Sequence, residues 1–184
     1  MDFSYSTKTK NMKKEIEEIL NAQIEKEGYS SHLYLAMASW ADANGFAGTS
    51  AWLYTQAEEE RTHMLKFVKY INERGGKATI GALQTPPAEF NSIKEIFKLV
   101  LEHEEMITNS INEIVAVCQQ QKDFTTQNWV QWFVNEQIEE ERNARTILDK
   151  LNLIGDGSLY LFDRDIMTLR GANAAANESA ASNT

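Results

Sequence analysis

Glu60-Arg61-Thr62-His63 sets a carboxylate and an imidazole three residues apart. On a helix, positions i and i+3 share one face. Here that face continues through Leu53, Gln56, Ala57, Met64, Phe67 and Ile71, an apolar stripe that belongs in a core. A buried charge without a partner is strongly unfavourable. A metal ion is the first candidate to neutralise such a pair. Three further apolar stripes are broken by a carboxylate in the same way, at Glu27, Glu104 and Glu140.

Those residues need elements to hold them, and helical periodicity dominates the chain. A first helix is expected over about residues 10–42, with the stripe Ile16, Leu20, Gln23, Glu27, Ser30, Tyr34, Met37 and Ala41, stopped by Asn44-Gly45. A second is expected over about 47–74, ended by Gly75-Gly76. Ser92-Ile93-Lys94-Glu95 is a capping-box pattern announcing a third. Its stripe runs Ile93, Phe97, Val100, Glu104, Ile107, Ile111, Ile114, Cys118. A fourth starts near Thr125 or Thr126 and runs to about Asn152 through Trp129, Phe133, Glu136, Gln137, Glu140, Ala144, Ile147, Leu148 and Leu151. A short fifth helix is expected over 158–169. Residues 1–170 then form one domain, and 171–184, nearly all Ala, Asn and Ser, a low-complexity tail expected to be disordered.

The connections set the topology. Short links join helices one to two and three to four, so each pair is expected to be an antiparallel hairpin. The link from Gly75 to Asn91 is longer. A thirty-residue helix is about 45 Å long, and an extended segment of this length reaches roughly 55 Å. The link can therefore cross the full length of a four-helix bundle, and the fold class is all-α. Each of the four carboxylates lies near the middle of its helix. In a bundle of equal-length helices the middles meet at one height, so Glu27, Glu60, Glu104 and Glu140 are expected to converge with His63. Two divalent cations would balance four carboxylates, and a hard oxygen set with one imidazole suits iron, manganese or zinc.

One Glu in an apolar stripe is more often salt-bridged than a ligand, and Arg61, Arg142 and Arg145 could pair with some carboxylates. Four breaks at one height, with a Glu/His pair and no Lys or Arg in the central stripe positions, favour metal. Glu59, Glu136 and Glu139 add carboxylate density beside the cluster. The run Glu139-Glu140-Glu141 reads either as a solvated face or as part of a third, more exposed metal position. Tyr34 reads either as a packed core residue or as a hydrogen-bond donor to a ligand. His32 and His103 fall on no core stripe and read as solvated. Met12, Met37, Met64 and Met106 read as packing residues, and Cys118 as a small buried hydrophobe.

Composition bounds the rest. The formal net charge of −9 disfavours nucleic acid and anionic membranes as partners and suits cations. A lone cysteine excludes a disulfide framework and a Cys-based metal site. No apolar run approaches a membrane span, and the polar residues 1–11 lack a signal-peptide pattern. A cytoplasmic location is the expectation.

Residues from about 10 to 170 resemble the ferritins, specifically the bacterial non-haem ferritins. The resemblance is carried by Glu27-Gly28-Tyr29-Ser30-Ser31 through Tyr34, by Glu58-Glu59-Glu60-Arg61-Thr62-His63-Met64, by Glu104, and by Trp132 through Glu141. It implies iron storage with a ferroxidase centre. By position, Glu27, Glu60 and His63 would hold one iron with Glu60 bridging, and Glu104 and Glu140 the second with Gln137 nearby. Glu59, Glu136, Glu139 and Glu140 match a third position, and Tyr34 matches a tyrosine beside the centre. The resemblance further implies Fe(II) oxidation by dioxygen or hydrogen peroxide, mineral storage, and a homo-oligomeric shell of 24 subunits. Gln137-Ile138-Glu139-Glu140 carries no second histidine, which separates the chain from bacterioferritin and rubrerythrin. Bacterioferritin would place a haem-ligating methionine directly after the bridging Glu. Arg61 stands there, so no haem is expected. A structural shell without fast ferroxidase activity is the alternative.

Overall fold

The computed structural model describes residues 12–155 and 157–169. Four long helices, α1 (Lys14–Ala43), α2 (Ala47–Glu73), α3 (Ile93–Gln121) and α4 (Phe124–Ile154), form the bundle. A short helix, α5, covers residues 159–169. No strand occurs among the described residues. The expected tail and the polar residues 1–11 lie outside the described residues.

Local chemistry sets the helix ends. Ser92 accepts a hydrogen bond from the Glu95 backbone N–H at 3.1 Å, capping α3. The Glu95 carboxylate reaches back to accept from the Asn91 N–H and also interacts with the backbone of Ser92, completing the capping box. Lys122, left-handed at φ 54°, closes α3. Asp123 then opens α4 by accepting from the Thr126 N–H and hydroxyl, so α4 begins one or two residues before the threonines that the sequence suggested.

The N-terminus of α2 has no side-chain cap of its own, because Phe46 occupies the position. Asp163 of α5 supplies one from a distance, accepting from the Gly48 and Thr49 N–H groups at 2.9 and 2.7 Å. A Cβ on Gly48 would lie 1.8 Å from the Asp163 carbonyl oxygen, so only glycine permits this approach.

The linker behaves as a crossover. Lys77 and Thr79 bond to Asn21 near the start of α1. Leu83 lies against Gly28 at its middle, and the Phe90 ring meets Trp40 near its end. The segment therefore runs along α1 and delivers α3 to the far end of the bundle. Arg74 at the close of α2 correspondingly pairs with Asp123 at the start of α4.

The core falls into two apolar halves. One gathers Tyr34, Met37, Leu53, Phe97, Val100, Ile147 and Leu151, with Phe162 and Ile166 of α5. The other gathers Ile16, Leu20, Phe67, Ile71, Ile107, Ile111, Cys118 and Phe133. Met12 and Met37 are buried and Met64 packs on the second half, but Met106 is exposed and fills no core space.

Candidate metal centre

The polar layer between the halves is built by all four long helices. Glu27, Glu60, Glu104 and Glu140 are 1%, 2%, 1% and 4% exposed, with His63 at 3%. The helix midpoints do meet at one height, as equal-length antiparallel helices require.

Ligand-capable atoms of Glu27, Glu60 and His63 lie within 4.8 Å of one another. The His63 Nδ1 is 3.6 Å from the Glu60 Oε1. No other residue donates to the Glu27 Oε2 or the Glu60 Oε1 although both are buried; only a proton shared between these two side chains links them. Buried carboxylate oxygens are rarely left so, and a cation between them would satisfy both. Gln23, one turn before Glu27, donates to the Glu27 Oε1 at 2.8 Å and is itself oriented by the Ser110 hydroxyl.

Glu104 and Glu140 face this group from α3 and α4. The Tyr34 hydroxyl donates to the Glu104 Oε1, and the Gln137 amide donates to the Glu104 Oε2 at 3.1 Å. Tyr34 thus both fills core space and holds a carboxylate. Gln56 donates to the Glu140 Oε2 at 2.5 Å.

Electrostatics describes a site short of positive charge. Burial, and then the charges of Glu104, Glu27 and Glu140, hold the Glu60 carboxyl far above its ordinary range. Burial pushes Glu104 up to about 8 and Glu27 up to about 6, and it also carries the Tyr34 hydroxyl upward. Burial, with Lys66 nearby, lowers His63 to about 4, so its imidazole is neutral and can ligate at pH 7. Clustered acids that retain protons for want of a counter-charge are the expected metal-free state of a cation site.

His63 also faces outward. Its ring nitrogen lies within the same 4.8 Å limit of carboxylate oxygens on Glu59 and Glu136, both half-buried. His63 therefore connects the inner group to an outer one. Glu139 joins neither group. Thr108 binds Glu141, and Arg145 pairs with Glu141 and Glu105, so that end of the acidic run is a solvated ion-pair face.

His103 corrects the sequence reading. It is buried, 2.7 Å from the Ser30 hydroxyl and edge-on to Tyr34. The buried face of α3 is two residues wide. Ile96, His103 and Ser110, spaced by seven, flank the expected stripe toward α1. His32 is exposed, as expected. Gln23 and Gln56 stood in the stripes without an assigned role. The available signal was an amide in an otherwise apolar stripe, one turn before Glu27 and Glu60 respectively.

A four-helix bundle with one long crossover, centred on buried carboxylates from every helix, defines the class of carboxylate-lined metal bundles. Residues 17–154 match the sequence profile of the ferritin-like domain, and the chain belongs to the ferritin family. A probable bacterial non-heme ferritin-like protein of Haemophilus influenzae is 46% identical over 82% of this chain and 93% of its own. A bacterial non-heme ferritin of Campylobacter jejuni is 40% identical, over 86% and 96%. Among solved structures, an open-pore ferritin from the archaeon Archaeoglobus fulgidus superposes with TM-score 0.83 at 41% identity, over 85% of this chain and 96% of that one. No helix among the described residues is long and apolar enough to cross a membrane.

Proposed function

We propose that this chain stores iron and oxidises it, taking Fe(II) as substrate at the centre between the core halves and depositing ferric oxyhydroxide inside a shell of 24 copies in the cytoplasm. The observation that carries this reading is the set of four buried carboxylates, one from each long helix, with oxygens on Glu27 and Glu60 that no other residue donates to, beside a neutral His63. Glu27, Glu60 and His63 hold one Fe(II), with Glu60 reaching the second. Glu104 and Glu140 hold that second ion, with Gln137 and Tyr34 orienting Glu104. Glu59 and Glu136, beside His63, provide a third position, to which the family resemblance adds Glu139 and Glu140. The names of the relatives support iron as the cation, and oxygen donors with one imidazole suit it. Nothing in the donor set calls for haem.

Binding begins with proton release. Two divalent ions replace the protons that burial holds on Glu60 and Glu104, and all four carboxylates then act as anions. Each Fe(II) gives up one electron, and dioxygen takes two electrons and two protons as hydrogen peroxide. Hydrogen peroxide itself serves as the oxidant when it takes the two electrons and two protons and yields two waters. The ferric product hydrolyses to oxyhydroxide and returns protons to solvent. Four carboxylates balance two divalent ions but not two trivalent ones, which favours departure of the product.

Aerobic addition of Fe(II) to wild type and Glu60→Ala tests the assignment. The expected result is a large fall in the initial oxidation rate, of tenfold or more on the order of magnitude of losing a shared ligand. Equal rates would instead favour a structural shell that only nucleates mineral.

A further inference from the structure

On the outer side of His63, one cation is already present. Glu59, His63 and Lys66 follow one another by four and three residues on α2, so they share a face. Trp132 and Glu136, four apart on α4, stand opposite. These side chains line a single surface recess. The Lys66 Nζ sits 2.9 Å from the centroid of the Trp132 ring, and that ring meets His63 edge-on at 5.4 Å. The indole face holds the ammonium by cation–π attraction and keeps it beside the carboxylates. The charges of Glu136 and Glu59 act on Lys66, and Lys66 in turn acts on His63.

A positive charge fixed in a cation-binding recess has a definite consequence. It offsets part of the carboxylate field and repels an arriving divalent ion. No lysine or arginine joins the inner group of Glu27, Glu60 and His63 among the described residues, although the Lys26 charge reaches Glu27 and that of Lys66 reaches His63. The result is a gradient of affinity from the outer recess toward Glu60.

We propose that Lys66, parked on Trp132, is a positioning residue that keeps the outer site of Glu59 and Glu136 weak, so that a divalent cation is handed to His63 and Glu60 rather than retained. The inference rests on the reading that these outer carboxylates receive a cation. In this role Lys66 is not itself a ligand; it sets the affinity of the outer carboxylates through its charge.

The test is calorimetric titration of the assembled, metal-free protein with Zn(II), which is redox-inert, at low ionic strength. Glu136→Ala identifies the outer event in the isotherm by removing it. Lys66→Gln is expected to tighten that event about tenfold, the effect of removing one nearby unit charge at intermediate dielectric. Lys66→Arg keeps both the charge and the stacking and is expected to titrate like wild type. Raising salt should narrow the gap between wild type and Lys66→Gln, because it screens a half-exposed charge. Circular dichroism on each variant establishes that it is folded. An outer event of unchanged affinity in Lys66→Gln, with Glu136→Ala still abolishing it, overturns the role of Lys66 and leaves the outer site standing. An isotherm unaltered by Glu136→Ala overturns the outer-site reading, and the inference with it.

Discussion

At Glu104 the carboxylate is held from two sides, by the Tyr34 hydroxyl and by the Gln137 amide. Each bond removes a rotational freedom that a metal would otherwise have to freeze, so the ligand is preorganised. Tyr34→Phe deletes one donor without changing the ring's packing. The expected cost to the metal-free protein is about 1–2 kcal/mol, the usual penalty for an abandoned buried acceptor. Tyr34 donation also helps hold the Glu104 carboxyl down, so the variant should bind Zn(II) more weakly near pH 7. Urea denaturation and Zn(II) titration check the two parts, and an unchanged Zn(II) affinity would show that the bond does not set the ligand. The residue scale is also where reading the sequence alone fell shortest. Glu27, Glu60, His63, Glu104 and Glu140 were legible because charge in an apolar stripe is conspicuous. His103 was not, because a single-residue stripe understates the width of a helix face that packs against two neighbours at once.

Among the elements, α5 is more than an appendage. It contributes Phe162 and Ile166 to one core half and also caps α2 through Asp163. Asp163→Ala is expected to cost about 1–2 kcal/mol, the range for losing an N-terminal cap. Gly48→Ala should displace α5, since the new methyl would meet the Asp163 carbonyl at 1.8 Å. Both changes act through one docked helix, so the double variant should cost less than the sum of the two. Denaturation curves for the three variants decide it, and full additivity would mean that the cap and the docking are independent. The helices themselves followed from periodicity and from the Ser92 and Asn44-Gly45 signals. The cap at α2 was illegible, because its donor and acceptor lie more than a hundred residues apart.

The whole molecule carries an electrostatic strain that metal relieves. Burial raises Glu104 to about 8 from its ordinary 4.5. Between those values the folded chain keeps a proton that the unfolded chain has released, so stability falls as pH rises. His63 and His103 act oppositely. Their folded values near 4 lie below the ordinary 6.5, so between pH 4 and 6.5 the unfolded chain binds more protons and stability rises with pH. The two effects offset each other in that lower window. Above pH 6.5 the carboxylates act alone, and the metal-free protein should lose on the order of 1–2 kcal/mol by pH 8. Zn(II) replaces the protons, so the thermal stabilisation it gives should grow across the same interval. Melting temperatures at pH 6.5 and 8, with and without Zn(II), test this. A gap that does not widen would mean that the cluster is not protonated in the metal-free fold. The amino-acid sequence by itself determined the helices, their crossover and the central height of the carboxylates, because periodicity and chain length act locally and additively. Only the tertiary structure decided what those carboxylates face. It set the oxygens that no other residue donates to, the glutamines that orient the ligands, the two-sided position of His63, and the lysine held on an indole outside it. Each of these depends on side chains brought together from different helices, and no spacing along one helix specifies such a meeting.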